Sequence, residues 1–147
     1  MVGVAPADLE GDATLLELAA AGVRHATVIR SDADGLEAAD LDLALHYLPD
    51  IRGIVLVEPD AALVAPAVAA ASWAESGLVV IGPVDEAATT ALDAAGDAAI
   101  VLDPPGSDPD GTFAGFVAAL AARLDAGRTA GDAWQETLSG LAADRVG

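Results

Sequence analysis

Residues 76–124, which read SGLVVIGPVDEAATTALDAAGDAAIVLDPPGSDPDGTFAGFVAALAARL, decide the fold class of this chain. Two short runs in this stretch, residues 78–81 and 99–102, are continuously apolar, which is typical of parallel strands covered on both faces. A helical segment over residues 86–95 separates the two runs, and Asp85 is its predicted N-cap. The stretch therefore predicts strands that alternate with helices around a parallel sheet.

The same alternation extends to the rest of the chain. Three further short apolar runs are predicted as strands, at residues 2–4, 26–29 and 53–57. Asp12 is the predicted cap of the first helix, and Pro66 is placed at the first turn of a helix over residues 67–76. The last helix has an apolar stripe at helical spacing, formed by Phe113, Phe116, Val117, Leu120 and Leu124. Five strand-helix repeats joined by right-handed crossovers predict a three-layer α/β/α sandwich.

At 147 residues the chain is long enough for one domain with a single core. We assign residues 1–126 to the α/β domain and residues 127–147 to a C-terminal helical extension. Trp134, Leu138 and Leu141 line one face of a short amphipathic helix in this extension. Such a face either packs against the domain, which we favour, or binds a partner protein.

The acidic and basic residues of the sequence are strongly unbalanced. There are 24 Asp and Glu against six basic residues, all of them Arg, and the formal net charge is −18. This composition resembles that of salt-adapted cytoplasmic proteins of haloarchaea. A GC-rich genome is the alternative source, which we consider weaker because composition drift alone need not lower the net charge so far. Phosphate binding needs clustered Lys and Arg, so nucleic acids and anionic membranes are not expected as partners.

Sequence features of several common site types are absent. No Cys occurs, which excludes disulfides, thiolate metal sites and a cysteine nucleophile. Neither a G-x-G-x-x-G nor a Walker-type loop follows the first strand, and no Ser lies in a G-x-S-x-G context. The first ten residues lack the features of a signal peptide, and the longest uncharged run, residues 61–74, is too short to span a bilayer. We therefore expect a cytoplasmic protein without a membrane segment.

Acidic residues follow several of the predicted strands. In open parallel sheets, ligands bind beyond the carboxyl ends of the strands. Asp8 follows the first strand, Glu58 the third and Asp103 the fifth. Together the three carboxylates could hold a divalent cation such as Mg²⁺. The simpler interpretation, which we favour, is that Asp103 caps a turn before two prolines and that Glu58 is solvated.

The stretch of residues 76–124 resembles the second half of a response-regulator receiver domain. LDPP, at residues 102–105, stands where that family has Lys-Pro, and residues 92–96 match the family's spacing before its fifth strand. Residues 53–58 look like the strand that carries the family's phosphorylatable aspartate. The resemblance covers residues 1–126 and implies a flavodoxin-like fold, with a five-stranded parallel sheet in the order 2-1-3-4-5.

Position by position, the resemblance implies that receiver chemistry is lost. Glu58 falls on the position of the nucleophilic aspartate, and its carboxylate lies one methylene farther out. Gly82 or Pro83 falls on the hydroxyl position. Asp103 falls on the position of the lysine and would repel a phosphoryl group. Of the family's acidic pair after the first strand, only Asp8 remains.

The resemblance therefore implies a non-catalytic signalling or regulatory module, without a cofactor, that acts through contacts with a protein partner or a second copy. The amphipathic face of the extension holds its candidate partner-binding residues. The alternative is a small flavodoxin-like enzyme or ligand-binding protein that holds Mg²⁺ on Asp8, Glu58 and Asp103 in an acidic crevice.

Overall fold

The computed structural model describes residues 2–5, 7–22, 27–30, 35–48 and 50–144. The chain divides into two compact units, residues 1–49 and residues 50–147. This division does not follow the boundary predicted after residue 126, because the helix of the predicted extension packs within the second unit. No helix among the described residues is long and apolar enough to cross a membrane.

Strands and helices alternate through the described part of the chain, which confirms the α/β class. The first unit contains β1 (Val2–Ala5), α1 (Leu9–Ala20), β2 (Thr27–Arg30) and α2 (Ala38–Tyr47). The second unit contains β3 (Gly53–Val57), α3 (Ala61–Trp73), β4 (Gly77–Ile81), α4 (Glu86–Ala95), β5 (Ala99–Leu102), α5 (Thr112–Asp125) and α6 (Ala130–Asp144).

The described strands form two parallel sheets, where the sequence predicted a single sheet of five strands. β1 pairs with β2, and β3, β4 and β5 form a three-stranded sheet in that order. Each of the two sheets lies within one of the two units. β4 is the central strand of the second sheet, and all five of its residues are buried.

Helices cover both faces of the three-stranded sheet. On one face, Val79 and Leu102 belong to a core that includes the buried side chains of α5. A Cβ atom at Gly53 or Gly77 would lie 2.9 or 2.6 Å from side-chain carbons of Leu124. These two glycines therefore let α5 approach the sheet closely. On the other face, α3 packs against β3 and β4, and α4 packs against α3.

Two helices begin earlier than the sequence predicted. Asp8, rather than Asp12, caps α1, since its Oδ1 accepts a hydrogen bond from the Gly11 N–H at 2.9 Å. α3 begins directly after Asp60, whose side chain accepts a hydrogen bond from its first turn. Pro66 lies inside α3 rather than at its start. The prediction was wrong because proline favours a helix start but also fits an existing helix at the expense of one hydrogen bond.

Asp108 caps the start of α5. Its Oδ2 accepts a hydrogen bond from the Ala114 N–H at 2.9 Å, and its Oδ1 accepts one from the Phe113 N–H at 3.1 Å. These N–H groups stabilise the charged form and hold the pKa of the Asp108 carboxyl below its ordinary value. The carboxylate thereby satisfies two of the N–H groups that the first turn of a helix leaves free.

We expect Asp108→Asn to lower the free energy of unfolding at neutral pH, and the loss to shrink as the pH falls. Because the pKa is depressed in the folded state, the contribution of Asp108 is complete above the unfolded pKa of about 3.9. It disappears as the pH falls through the lower folded-state pKa. Urea unfolding of both proteins in molar KCl, from about pH 7 to about pH 3, measures this difference.

Asp110→Asn is the matched control, because it removes an equal charge two residues further along the same exposed loop. We expect it to leave the pH dependence of unfolding almost unchanged. An equal effect of the two substitutions, or a loss at Asp108 that does not vary with pH, would contradict the capping role.

Candidate functional site

β3, β4 and β5 each end directly before an X-Pro pair. These pairs are Glu58-Pro59, Gly82-Pro83 and Asp103-Pro104. Proline has no N–H group to donate to a neighbouring strand, so it does not continue a central ladder. The three strands therefore stop at the same level, and the residues that directly follow them lie at the carboxyl edge of the sheet.

Backbone hydrogen bonds hold the residues that follow these strands side by side. The Glu58 N–H donates to the carbonyl oxygen of Ile81 at 2.7 Å, and the Gly82 N–H donates to that of Leu102 at 3.0 Å. Both bonds extend the parallel register of the sheet by one residue. Glu58, Gly82 and Asp103 thus form a row across the carboxyl edge, which we call the edge row.

In the edge row, one carboxylate lies on each side of Gly82, which has no side chain. Neighbouring strands lie about 4.8 Å apart, so the Cα atoms of Glu58 and Asp103 are separated by roughly 10 Å with Gly82 between them. Both acidic residues are exposed. Among the described residues, neither side chain has a hydrogen-bond or ion-pair partner. Glu58 is exposed, as expected, whereas no described hydrogen bond shows Asp103 capping the turn before its two prolines.

The backbone of the edge row has a positive φ at its first two positions, which is strained at Glu58 and allowed at Gly82. Glu58 has a φ of +44°, in the left-handed region that a non-glycine residue rarely adopts. Gly82 has a φ of +124°, and a Cβ atom there would lie 3.3 Å from the Glu58 Cα. The approach of these two residues needs glycine at position 82. The positive φ of Glu58 costs about 1–3 kcal/mol and persists only where the surrounding structure holds it.

Three other carboxylates that follow these strands cap helices. Asp60 accepts from α3, Asp85 from α4 at 2.7 Å, and Asp108 from α5. The predicted capping role of Asp85 is confirmed. Asp108 was missed, because the loop also contains Asp110 and Thr112, and any of the three fits the sequence rule for an N-cap. Three acids at this edge are therefore helix caps, whereas the two carboxylates of the edge row are solvated.

Asp8 belongs to the first unit, where it caps α1. Among the described residues, no group of three or more His, Asp or Glu side chains has an arrangement that could hold a metal ion. The predicted Mg²⁺ site on Asp8, Glu58 and Asp103 therefore gains no support from the geometry.

The described arginine side chains of the second unit lie at the opposite, amino edge of the sheet. Arg52 directly precedes β3 and approaches Gly127, at the turn between α5 and α6. Arg123 and Arg128 lie 3.6 and 3.2 Å from carboxylate oxygens of Glu136. Within the described part of the second unit, the edge row therefore has no nearby cation.

The candidate partner-binding residues of the extension divide into three cases. Trp134 packs within the unit, since its ring meets that of Phe116 edge to face at 5.3 Å. Leu138 is exposed on α6. Leu141 lies in α6, but its side chain is outside the described residues. The described contacts of Trp134 match the packing alternative that the sequence favoured.

In comparisons with known proteins, no family model, no curated protein and no solved structure matches this chain.

We expect Gly82→Ala to lower the free energy of unfolding by about 1–3 kcal/mol, because it adds a Cβ atom beside Glu58 and imposes an unfavourable φ. Gly106→Ala is the matched control, since Gly106 lies in a loop after β5 where an added Cβ atom would meet open space. That substitution should change stability by less than about 0.5 kcal/mol. Urea unfolding in molar KCl compares the two variants. Equal losses in the free energy of unfolding would show that the backbone at Gly82 is not constrained.

Proposed function

We propose that this chain is a receiver-like signalling or regulatory module of the cytoplasm that has lost phosphotransfer and acts through protein contacts. The observation that carries the proposal is the edge row, which combines two solvated carboxylates with no nearby cation among the described residues of the second unit. Phosphoryl transfer depends on positive charge placed around the transferred group. An edge of this composition opposes such a group instead of stabilising it.

Each position of the edge row supports the loss of phosphotransfer separately. Glu58 carries a longer side chain than the aspartate of the family, on a backbone with a positive φ. Gly82 stands at the hydroxyl position and leaves no room for a side chain beside Glu58. Asp103 brings a negative charge to the lysine position. Restoring the chemistry would need changes at all three positions.

The proposal includes the flavodoxin-like strand order 2-1-3-4-5, in which β1 pairs with the outer edge of β3. β3 is an edge strand of the three-stranded sheet. The Glu58 N–H points toward β4. Because N–H groups alternate in direction along a strand, that of Leu56 also points toward β4 and those of Val55 and Val57 point outward.

Hydrogen exchange of these amides tests the strand order. If β1 covers the outer edge of β3, the Val55 and Val57 amides should exchange about as slowly as that of Leu56, because all three are then hydrogen-bonded. Rapid exchange at Val55 and Val57 beside a protected Leu56 would refute the order 2-1-3-4-5. Amides of β4, which has strands on both sides, provide the internal control.

Titration with beryllofluoride and Mg²⁺ tests the loss of phosphotransfer. We expect no saturable change in the amide signals of Glu58, Gly82 and Asp103, because nothing at this edge compensates the charge of a phosphoryl mimic. An active receiver domain in the same molar-salt buffer confirms that the reagent works. Saturable shifts centred on Glu58 would contradict the proposal. Shifts produced by MgCl₂ alone would favour the metal-binding alternative.

A further inference from the structure

Two leucines of α1 lie on the protein surface. Leu9 and Leu16 are 87% and 71% exposed, and they lie seven residues apart, on one side of the helix. α1 packs against β1 by its other side, where Gly11 is buried and Leu15 and Leu18 are half-buried. The two exposed leucines therefore lie opposite the side by which α1 packs.

The exposed side of α1 repeats with a period of seven residues. A leucine followed by a glutamate occurs at residues 9–10 and again at residues 16–17. In a coiled coil, the apolar residues that face the partner helix are spaced alternately three and four residues apart. Four exposed apolar residues of α1 have this spacing. We call them the α1 seam; they are Leu9, Ala13, Leu16 and Ala20.

Carboxylates border the α1 seam. Glu10 and Glu17 lie along one side of it, and Asp12 lies on the other side. α1 contains no basic residue. Among the described residues, the side chains of Glu10 and Glu17 have no hydrogen-bond or ion-pair partner. Charges at these flanking positions of a coiled coil pair with the facing helix and determine which partner binds.

We infer that a helix of another protein docks along the α1 seam, with apolar residues facing the seam and Lys or Arg beside them. Charge complementarity selects this occupant. In a second copy the same carboxylates border the seam, so two seams would bring like charges together in either orientation. An uncharged helix would cover the leucines but leave Glu10 and Glu17 without ion-pair partners. A basic helix alone satisfies both features of this surface.

The size of the α1 seam determines how strongly such a helix binds. A helix of 12 residues is about 18 Å long, so the contact is smaller than a standard interface of roughly 800 Å² per partner. The association is accordingly weak and reversible. Burial of the leucines supports binding at any salt concentration. The carboxylates contribute less in molar salt, where the Debye length falls to about 3 Å.

Fluorescence anisotropy of a labelled synthetic peptide, titrated with the full chain, tests this inference. The probe is a helix of three heptads with Leu and Ala at the facing positions and Lys beside them. Because its lysines repel one another, the peptide does not pair with itself. We expect saturable binding with a Kd on the order of 10–100 µM. A peptide with Glu in place of each Lys should bind at least about tenfold more weakly in about 0.3 M KCl.

Leu16→Ser should weaken binding of the Lys peptide at least about tenfold, in about 0.3 M and in about 2 M KCl. Leu43→Ser is the matched control, since it removes another exposed leucine from α2 of the same unit and should leave the affinity unchanged. Both positions are exposed, and unfolding curves confirm that the variants fold.

The double substitution Glu10→Gln and Glu17→Gln should weaken binding about fivefold in about 0.3 M KCl, and less in about 2 M KCl. Its matched control is the pair Glu86→Gln and Asp93→Asn, which removes equal charge from two exposed positions one heptad apart on α4. This control separates binding at the α1 seam from general attraction of a basic peptide to an acidic chain.

Three outcomes would each overturn the inference. These are no saturable binding of the Lys peptide, equal binding of the Lys and Glu peptides in about 0.3 M KCl, and equal effects of a variant and its matched control. The inference does not depend on the receiver-like proposal, because phosphoryl mimics and Mg²⁺ take no part in the measurement.

Discussion

The close approach of α5 to the three-stranded sheet is the constraint on which the second unit depends. Leu124 is fully buried and fills the space that side chains at Gly53 and Gly77 would occupy. These glycines are the first residues of β3 and β4, so the contact fixes the end of α5 at the amino edge of the sheet. The start of α5, with its cap Asp108, consequently lies toward the carboxyl edge.

This direction separates the charges of the second unit. Arg123 and Arg128 are held near the amino edge, whereas α3, α4 and α5 all begin near the carboxyl edge. Helix N-termini carry a partial positive charge and bind anions in many α/β proteins. Here Asp60, Asp85 and Asp108 occupy these N-termini. The capping carboxylates therefore offset the positive potential that a phosphoryl group would need, which adds to the effect of the edge row.

Local signals in the sequence predicted the helices and strands better than they predicted the contacts between them. The sequence identifies Asp85 as a helix cap because it directly precedes a periodic segment. The prediction that Asp12 caps α1 is wrong, because Asp8, four residues earlier, satisfies the same rule. Pro66 misplaced the start of α3 because it is a strong but not exclusive start signal. The grouping of Glu58 with the ends of β4 and β5 followed from strand direction. The positive φ of Glu58 could not be predicted from strand direction, because it accompanies a close approach to Gly82 after the next strand.

The scarcity of aromatic residues sharpens the contrast between the two tryptophans. The chain has two Trp, two Phe and one Tyr. Trp134 and Phe116 pair edge to face where α6 packs on α5, so one of the two tryptophans packs within the unit. Elsewhere in the unit the buried side chains are mostly Val, Leu, Ile and Ala. A core with so few rings would gain from burying Trp73, yet α3 directs it outward, beside a face from which charge is absent.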